Sequence, residues 1–158
     1  MSVDKQTFSP IDPHFESRIR ESFARQGFLK TLRAEISMIS PGEVEISAPF
    51  DDRLTQQDGF LHAGVATALV DTACGYAAYT LMPADTRVLS VEFKINFLSV
   101  AQGERFLARG RVIKAGKTLT VCAGELFAFK GEDRQRVASM QATMICVKEN
   151  PPKGKVDG

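Results

Sequence analysis

Between His62 and Met82 the only formally charged side chain is Asp71. A carboxylate in an otherwise apolar stretch loses hydration, which raises its pKa and costs free energy unless something compensates. An acid kept in such a place is suited to act as a base or a nucleophile; the structural alternative is a carboxylate that hydrogen-bonds a neighbouring segment. Upstream, Gln56, Gly59, His62, Ala63 and Gly64 cluster where a polar connection passes into the apolar stretch. If a helix begins there, its free N–H groups and its dipole favour negative charge developing on a substrate oxygen. Read without that chemistry, His62 is a helix-start histidine bonded to a loop carbonyl and Gly64 a close-packing contact.

Ala63 and Asp71 are eight positions apart, or about 12 Å along a helix axis at about 1.5 Å per residue. A reacting atom has to sit within about 3 Å of both its activated nucleophile and its oxyanion donors. If both residues act, the helix start of one subunit must face Asp71 of another. The spacing therefore predicts active sites at a dimer interface.

The elements that would position these residues can be read from punctuation and periodicity. Residues 61–82 contain no Pro, Lys or Arg and many good helix formers, and Pro83 ends the run. Being almost uncharged on every side, this long helix is expected to be buried all round. Before it, Asp12-Pro13 starts a short amphipathic helix carrying Phe15, Ile19 and Phe23, with Gly27 as its stop. Residues 31–40 and 43–49 read as a hairpin about Pro41-Gly42. After the long helix, residues 88–98 alternate, with Leu89, Val91, Phe93, Ile95 and Phe97 expected on one face and Ser90, Glu92, Lys94 and Asn96 on the other. Residues 105–114, 118–130 and 134–148 are three further antiparallel strands separated by short turns. An antiparallel sheet wrapped around one long central helix, of the α+β class, is the economical way to bury that helix.

The segment from Gln56 to Asp71 resembles the active-site signature of the phenylacetate-degradation type of hotdog-fold acyl-CoA thioesterase. In that signature an amide residue, a Gly and then His-Gly-Gly lead into the central helix, with an Asp further along. Gln56, Gly59, His62, Ala63, Gly64 and Asp71 fall on those positions, and the order of elements matches over roughly residues 32–147. The resemblance implies a hotdog fold and hydrolysis of an acyl-CoA thioester to free acid and CoA. It implies that the amide N–H groups near Ala63 and Gly64 bind the thioester oxygen, that His62 steadies that loop, and that Asp71 acts as base or nucleophile. Gln56 would help place water or carboxylate, and Ser90 would hydrogen-bond the water beside the acid. Arg111, Lys114, Gly116 and Lys117 would meet the CoA phosphates, CoA being part of the substrate rather than a cofactor. A homodimer, and a homotetramer of two dimers, is the implied assembly. Two departures stand out: Ala63 replaces the first glycine of the pair, which its Cβ permits only at negative φ, and Gln56 is a methylene longer than the frequent Asn.

Bulk properties narrow the alternatives. With 158 residues, 44% hydrophobic and 25% charged, the chain fits one domain. Residues 1–30 read as an N-terminal segment, 31–149 as the domain and 150–158 as a disordered tail. A formal net charge of +1 gives no bulk attraction to nucleic acid or to an anionic membrane. An ionisable Asp71 in mid-stretch argues against a membrane span, and the polar N-terminus lacks the apolar core of a signal peptide, so the expected location is cytoplasmic. The three cysteines, Cys74, Cys122 and Cys146, sit in apolar runs and are expected to be reduced. Cys74 lies three residues after Asp71, but an adjacent carboxylate suppresses thiolate, so a cysteine nucleophile is disfavoured. Two scattered histidines make no metal site of recognisable spacing. Two rivals remain: a non-catalytic acyl-CoA or acyl-carrier binding module, and a hotdog dehydratase.

Overall fold

The computed structural model describes residues 7–149, and the expected tail at 150–158 lies outside them. The elements run α1 (Phe15–Ala24), α2 (Gly27–Thr31), β1 (Glu35–Ser40), β2 (Glu43–Pro49), a short 3₁₀ turn (Asp52–Leu54), α3 (Ala63–Tyr79), β3 (Thr86–Phe97), β4 (Arg105–Ala115), β5 (Leu119–Lys130) and β6 (Asp133–Lys148). All six strands form one antiparallel sheet in the order β1-β2-β4-β5-β6-β3, with α3 against its inner face. The α+β arrangement expected from the sequence is the one observed.

Two glycines seat the helix. Gly110 of β4 and Gly124 of β5 are cross-strand partners, and both face α3. A Cβ at Gly110 would lie 2.2 Å from the carbonyl carbon of Ala73, and one at Gly124 would lie 2.4 Å from Val70 Cγ1. The sheet thus opens a slot for the backbone of α3 at the turn that carries Asp71. Val70, Ala73, Cys74 and Ala77 fill it, all fully buried.

Three expectations need correction. Gly27 does not end the N-terminal helical region; it begins α2, so Thr31 closes a helix and the first strand starts at Glu35. Packing decides this: Leu29 and Leu32 are buried in the core, an arrangement a strand starting at Thr31 would disrupt. Second, α3 is not covered on every side. Ala63 and Gly64 are exposed and Thr67, Ala68, Asp71, Thr72 and Gly75 only half-buried. Those positions recur at three to four residues and make one stripe along the helix, which a single sheet leaves open.

The third correction concerns β3. Its alternation breaks at a bulge, with Ser90 paired to Met144 but Glu92 already paired to Thr143. An inserted residue reverses the facing of everything beyond it. Cross-strand partners share a face, and Met144, Ala142, Met140 and Ala138 of β6 are all buried on the helix side. Ser90, Phe93, Ile95 and Phe97, their partners, therefore face α3. Leu89 turns outward with Glu92 and Lys94, on the face opposite to that predicted relative to Phe93.

The N-terminal segment is locked onto the C-terminal end of α3. Arg18 donates to the carbonyls of Tyr79 at 3.0 Å and Met82 at 2.9 Å, and also to that of Pro83. A guanidinium placed on the unsatisfied carbonyls of a helix end complements its dipole. Asp12 Oδ2 lies 3.3 Å from Arg18 Nε, and Ile19 is fully buried beneath. No helix among the described residues is long and apolar enough to cross a membrane.

Candidate active site

Asp71 sits in the middle of α3 on the open stripe, beside a cavity of about 190 Å³. Ser90 donates its hydroxyl to Asp71 Oδ1 at 2.7 Å. Burial raises the Asp71 carboxyl above the ordinary range, while the Ser90 hydrogen bond pulls it the other way. The desolvation contribution is the larger, so the site holds an acid that ionises reluctantly and is steadied once ionised. The β3 bulge is what turns Ser90 toward it. Besides Asp71 and Ser90 the cavity is walled by Gly75 and Tyr76 of α3, and by Ser22 and Gln26 from the α1 region.

At the start of α3 the geometry separates two neighbouring amides. His62 is the N-cap, and its Nδ1 accepts from the Gly64 N–H at 2.8 Å. The Gly64 amide, expected as an oxyanion donor, is therefore already engaged. Val65 and Ala66 donate to the His62 carbonyl. The Ala63 N–H has no acceptor among the described residues, and Ala63 itself is exposed. The only non-glycine residue with positive φ among the described residues is Arg33, so Ala63 meets the condition under which its Cβ is tolerated. His62 is thus tied to the first turn of α3 through the Gly64 amide.

Gln56 lies in the turn before the helix. Its backbone N–H donates to Phe60 O at 2.9 Å, and Gly59, at φ +81°, closes the turn by donating to Gln56 O at 3.1 Å. The side-chain amide is held within that turn: its oxygen accepts from the Asp58 N–H and its nitrogen donates to Asp58 Oδ2. In one chain it makes no contact with Asp71.

Arg111, Lys114, Gly116 and Lys117 are exposed around the end of the β4–β5 hairpin. Val112 and its partner Cys122 are buried under the helix, so Arg111 projects from the outer face. A bulge at Ile113 keeps Lys114 on that face, opposite Val121. One subunit does not bring these cations to Asp71. Gly116 has a structural duty as well, because a Cβ there would lie 2.4 Å from Leu119 O in the hairpin turn.

Cys74 and Cys122 are buried, and burial pushes the Cys122 thiol up to about 12 and Cys74 well above its usual value. Neither supplies a thiolate. The residues that sequence reasoning missed are Gly75, Tyr76, Ser22 and Gln26. Helical spacing from Asp71 could have located Gly75, four positions on; nothing local in the sequence announces that α1 returns to this site.

Comparison with known proteins bears on the family and the fold. Residues 58–134 match the model of the Thioesterase superfamily. A crystal structure of a thioesterase family protein from Silicibacter pomeroyi is 47% identical, with a TM-score of 0.84 over 85% of this chain and 98% of that one. The PaaI protein from the phenylacetic acid degradation operon of E. coli shares the fold, with a TM-score of 0.77 over 86% of this chain and 95% of its own, at 17% identity. A 1,4-dihydroxy-2-naphthoyl-CoA hydrolase of Listeria monocytogenes is 26% identical over 95 residues, 60% of this chain and 77% of that protein. The matches to two archaeal relatives, from Halobacterium salinarum and Saccharolobus solfataricus, span 66% and 69% of their lengths. The fold is a hotdog fold, and with nearly half of one thioesterase's residues retained along almost its whole length, the chain belongs to the thioesterase superfamily.

Proposed function

We propose that the protein hydrolyses acyl-CoA thioesters, with Asp71 promoting attack by water on the thioester carbonyl. The observation that carries this reading is Asp71 itself, half-buried on a cavity and held by Ser90. A carboxylate whose pKa is moved toward neutrality is a better-matched base than an exposed one. Asp71 takes a proton from water as the oxygen bonds to the carbonyl carbon. The negative charge that develops on the carbonyl oxygen lies at the helix start, where the Ala63 N–H is free to donate. Collapse breaks the C–S bond, and the departing thiolate receives the proton held at Asp71, leaving the free acid and CoA.

That scheme needs two chains, since Ala63 and Asp71 lie on one helix too far apart for one carbon to reach both. Two surfaces support such an assembly. The stripe on α3 lacks cover, and β3 is an edge strand on which Leu89, Val91, Phe93 and Phe97 are all more than 40% exposed. A long apolar edge is a template for pairing with another chain. In the proposed homodimer the two β3 edges adjoin and the helix start of each subunit faces Asp71 of its partner, with Gln56 carried on the same loop. The hairpin cations Arg111, Lys114 and Lys117, beside Gly116, then serve the CoA phosphates by charge. The test is thiol release measured spectroscopically over a panel of acyl-CoAs, with Asp71→Asn alongside. Hydrolysis that disappears in the folded variant supports the reading; turnover equal to wild type rejects it, and binding without turnover by the wild type would identify a ligand-binding module instead.

A further inference from the structure

Arg33 has a positive φ of 51°. It follows α2 at the place where glycine is favoured, because a side chain there crowds the backbone. An arginine held in that conformation needs a compensating contact, and its guanidinium has two. Arg33 Nη2 donates to the Phe50 carbonyl at 3.3 Å and lies 3.7 Å from Asp51 Oδ2. The end of α2 is thereby tied across to the exit of β2.

Asp51 is the hub of this contact. Its side chain is only 7% exposed, and its carboxylate accepts from three donors of Arg53. The backbone N–H and Nε, each at 3.0 Å, meet Oδ1, and Nη2 meets Oδ2 at 2.6 Å. These hydrogen bonds, those of the Arg53 side chain foremost, hold the carboxyl well below the usual aspartate range. A serine or asparagine would cap such a turn; only a carboxylate also clamps two guanidiniums.

The turn in question leads to the start of α3. Asp51 caps the 3₁₀ turn at Asp52–Leu54, and the Leu54 carbonyl accepts the His62 N–H at 2.9 Å, while the Leu61 N–H is held by Ala101 O at 3.0 Å. His62 is the residue immediately before Ala63, and its own carbonyl accepts from Val65 and Ala66. The peptide that bears the free Ala63 N–H is thus aimed by α3 on one side and by the 3₁₀ turn on the other.

We propose that Asp51, clamped by Arg33 and Arg53, is a positioning residue for the thioester oxygen: it braces the 3₁₀ turn so that the Leu54 carbonyl sets the direction of the Ala63 N–H. None of the three side chains touches substrate in this scheme. It rests on the hydrolase reading above and deepens it, because an oxyanion donor is effective only when it is aimed before the charge appears. A misplacement of about 1 Å can cost about a hundredfold in rate. A turn loosened at one of its two anchors displaces the donor by less, so the loss should be nearer tenfold.

The experiment is a double-mutant cycle between Asp51→Ala and Ala63→Pro, with kcat and KM measured on an acyl-CoA that the wild type hydrolyses. Ala63→Pro removes the donor, so the brace then has nothing to aim. Asp51→Ala should lower kcat about tenfold at nearly unchanged KM, the signature of an interaction made only in the transition state, and by less than about twofold where residue 63 is proline. A turn that matters only to folding would cost the same factor in both backgrounds. That result overturns the proposal, as does an unchanged kcat in Asp51→Ala. Arg33→Gly keeps the test decisive should Asp51→Ala fold poorly. Glycine suits the φ of 51°, so Tm should stay close to wild type, while kcat falls by about threefold, and only with Ala63 in place; full kcat in that variant overturns the clamp. Hydrolysis with equal factors in both backgrounds overturns this inference alone, whereas absence of thioester hydrolysis by the wild type overturns the hydrolase reading as well.

Discussion

Ser90 reaches Asp71 with a 2.7 Å hydrogen bond because one extra residue, Val91, is inserted into β3 beside it. The bulge converts a position that alternation assigns to the outer face into the partner of a carboxylate on α3. Two opposing influences then meet on one acid, burial raising its pKa and Ser90 lowering it. Ser90→Ala removes only the second. The acid limb of the kcat/KM profile should move to higher pH in that variant, with activity at alkaline pH depressed far less. A limb that stays in place would show that the serine does not hold the ionised form.

The same balance makes Asp71 a burden on stability. Its folded pKa is raised, so between the ordinary aspartate range and the raised value the folded chain binds more proton than the unfolded one. Stability therefore falls as pH rises through that window and remains lower above it. Asp71→Asn keeps an oxygen for Ser90 and removes the charge. Urea midpoints should be higher for Asp71→Asn than for wild type near neutral pH, with the difference shrinking in acid, where wild-type Asp71 is protonated in both states.

Ala63 offers an unusually clean substitution. It is the first residue of α3, where proline is well accommodated, and His62 before it is extended at φ −61° and ψ 137°, as a residue preceding proline should be. Ala63→Pro deletes one N–H and little else. Loss of an oxyanion donor should lower kcat by about a hundredfold or more at nearly unchanged Tm. Refolded together with Asp71→Ala, it should regain activity, because each mixed dimer contains one site with both groups intact. No regain on mixing would place both groups of a working site in one chain.

Gly110→Ala tests the seating of the helix. Its new methyl would meet the backbone at Ala73, which cannot swing aside as a side chain does. Overpacking of this kind costs about 1–3 kcal/mol, read as a lower urea midpoint. Activity should drop further than the stability loss explains, since Asp71 moves with the turn that is displaced.

Much of this was legible from residue types. The single charge at Asp71 and the helix start just after His62 follow from composition and spacing, and the turns between β4, β5 and β6 follow from their glycines and polar residues. What the sequence hid has physical causes. A bulge adds one residue without any change in strand composition, so the face of Ser90 was misassigned by strict alternation. The open stripe on α3 was read as buried because Ala, Gly and Thr look alike whether they face a sheet or another molecule. The occupied Gly64 amide depends on one imidazole rotamer. The return of α1 to the cavity is a tertiary event, made by Arg18 on the carbonyls of Tyr79 and Met82 and by Ser22 and Gln26 on the Tyr76 hydroxyl.

The seating of α3 by Gly110 and Gly124 has a further consequence for how such a molecule could diverge. The carboxylate rides on a helix that the glycine slot will not let drift, whereas Ser22 and Gln26 belong to a separate N-terminal piece fastened by Arg18, by buried Ile19 and at the Tyr76 hydroxyl. The hydrogen-bonded pair and the N-terminal wall of the cavity beside it are thereby carried by different stretches of chain. Changes in α1 can reshape that wall while Asp71 and Ser90 are left standing.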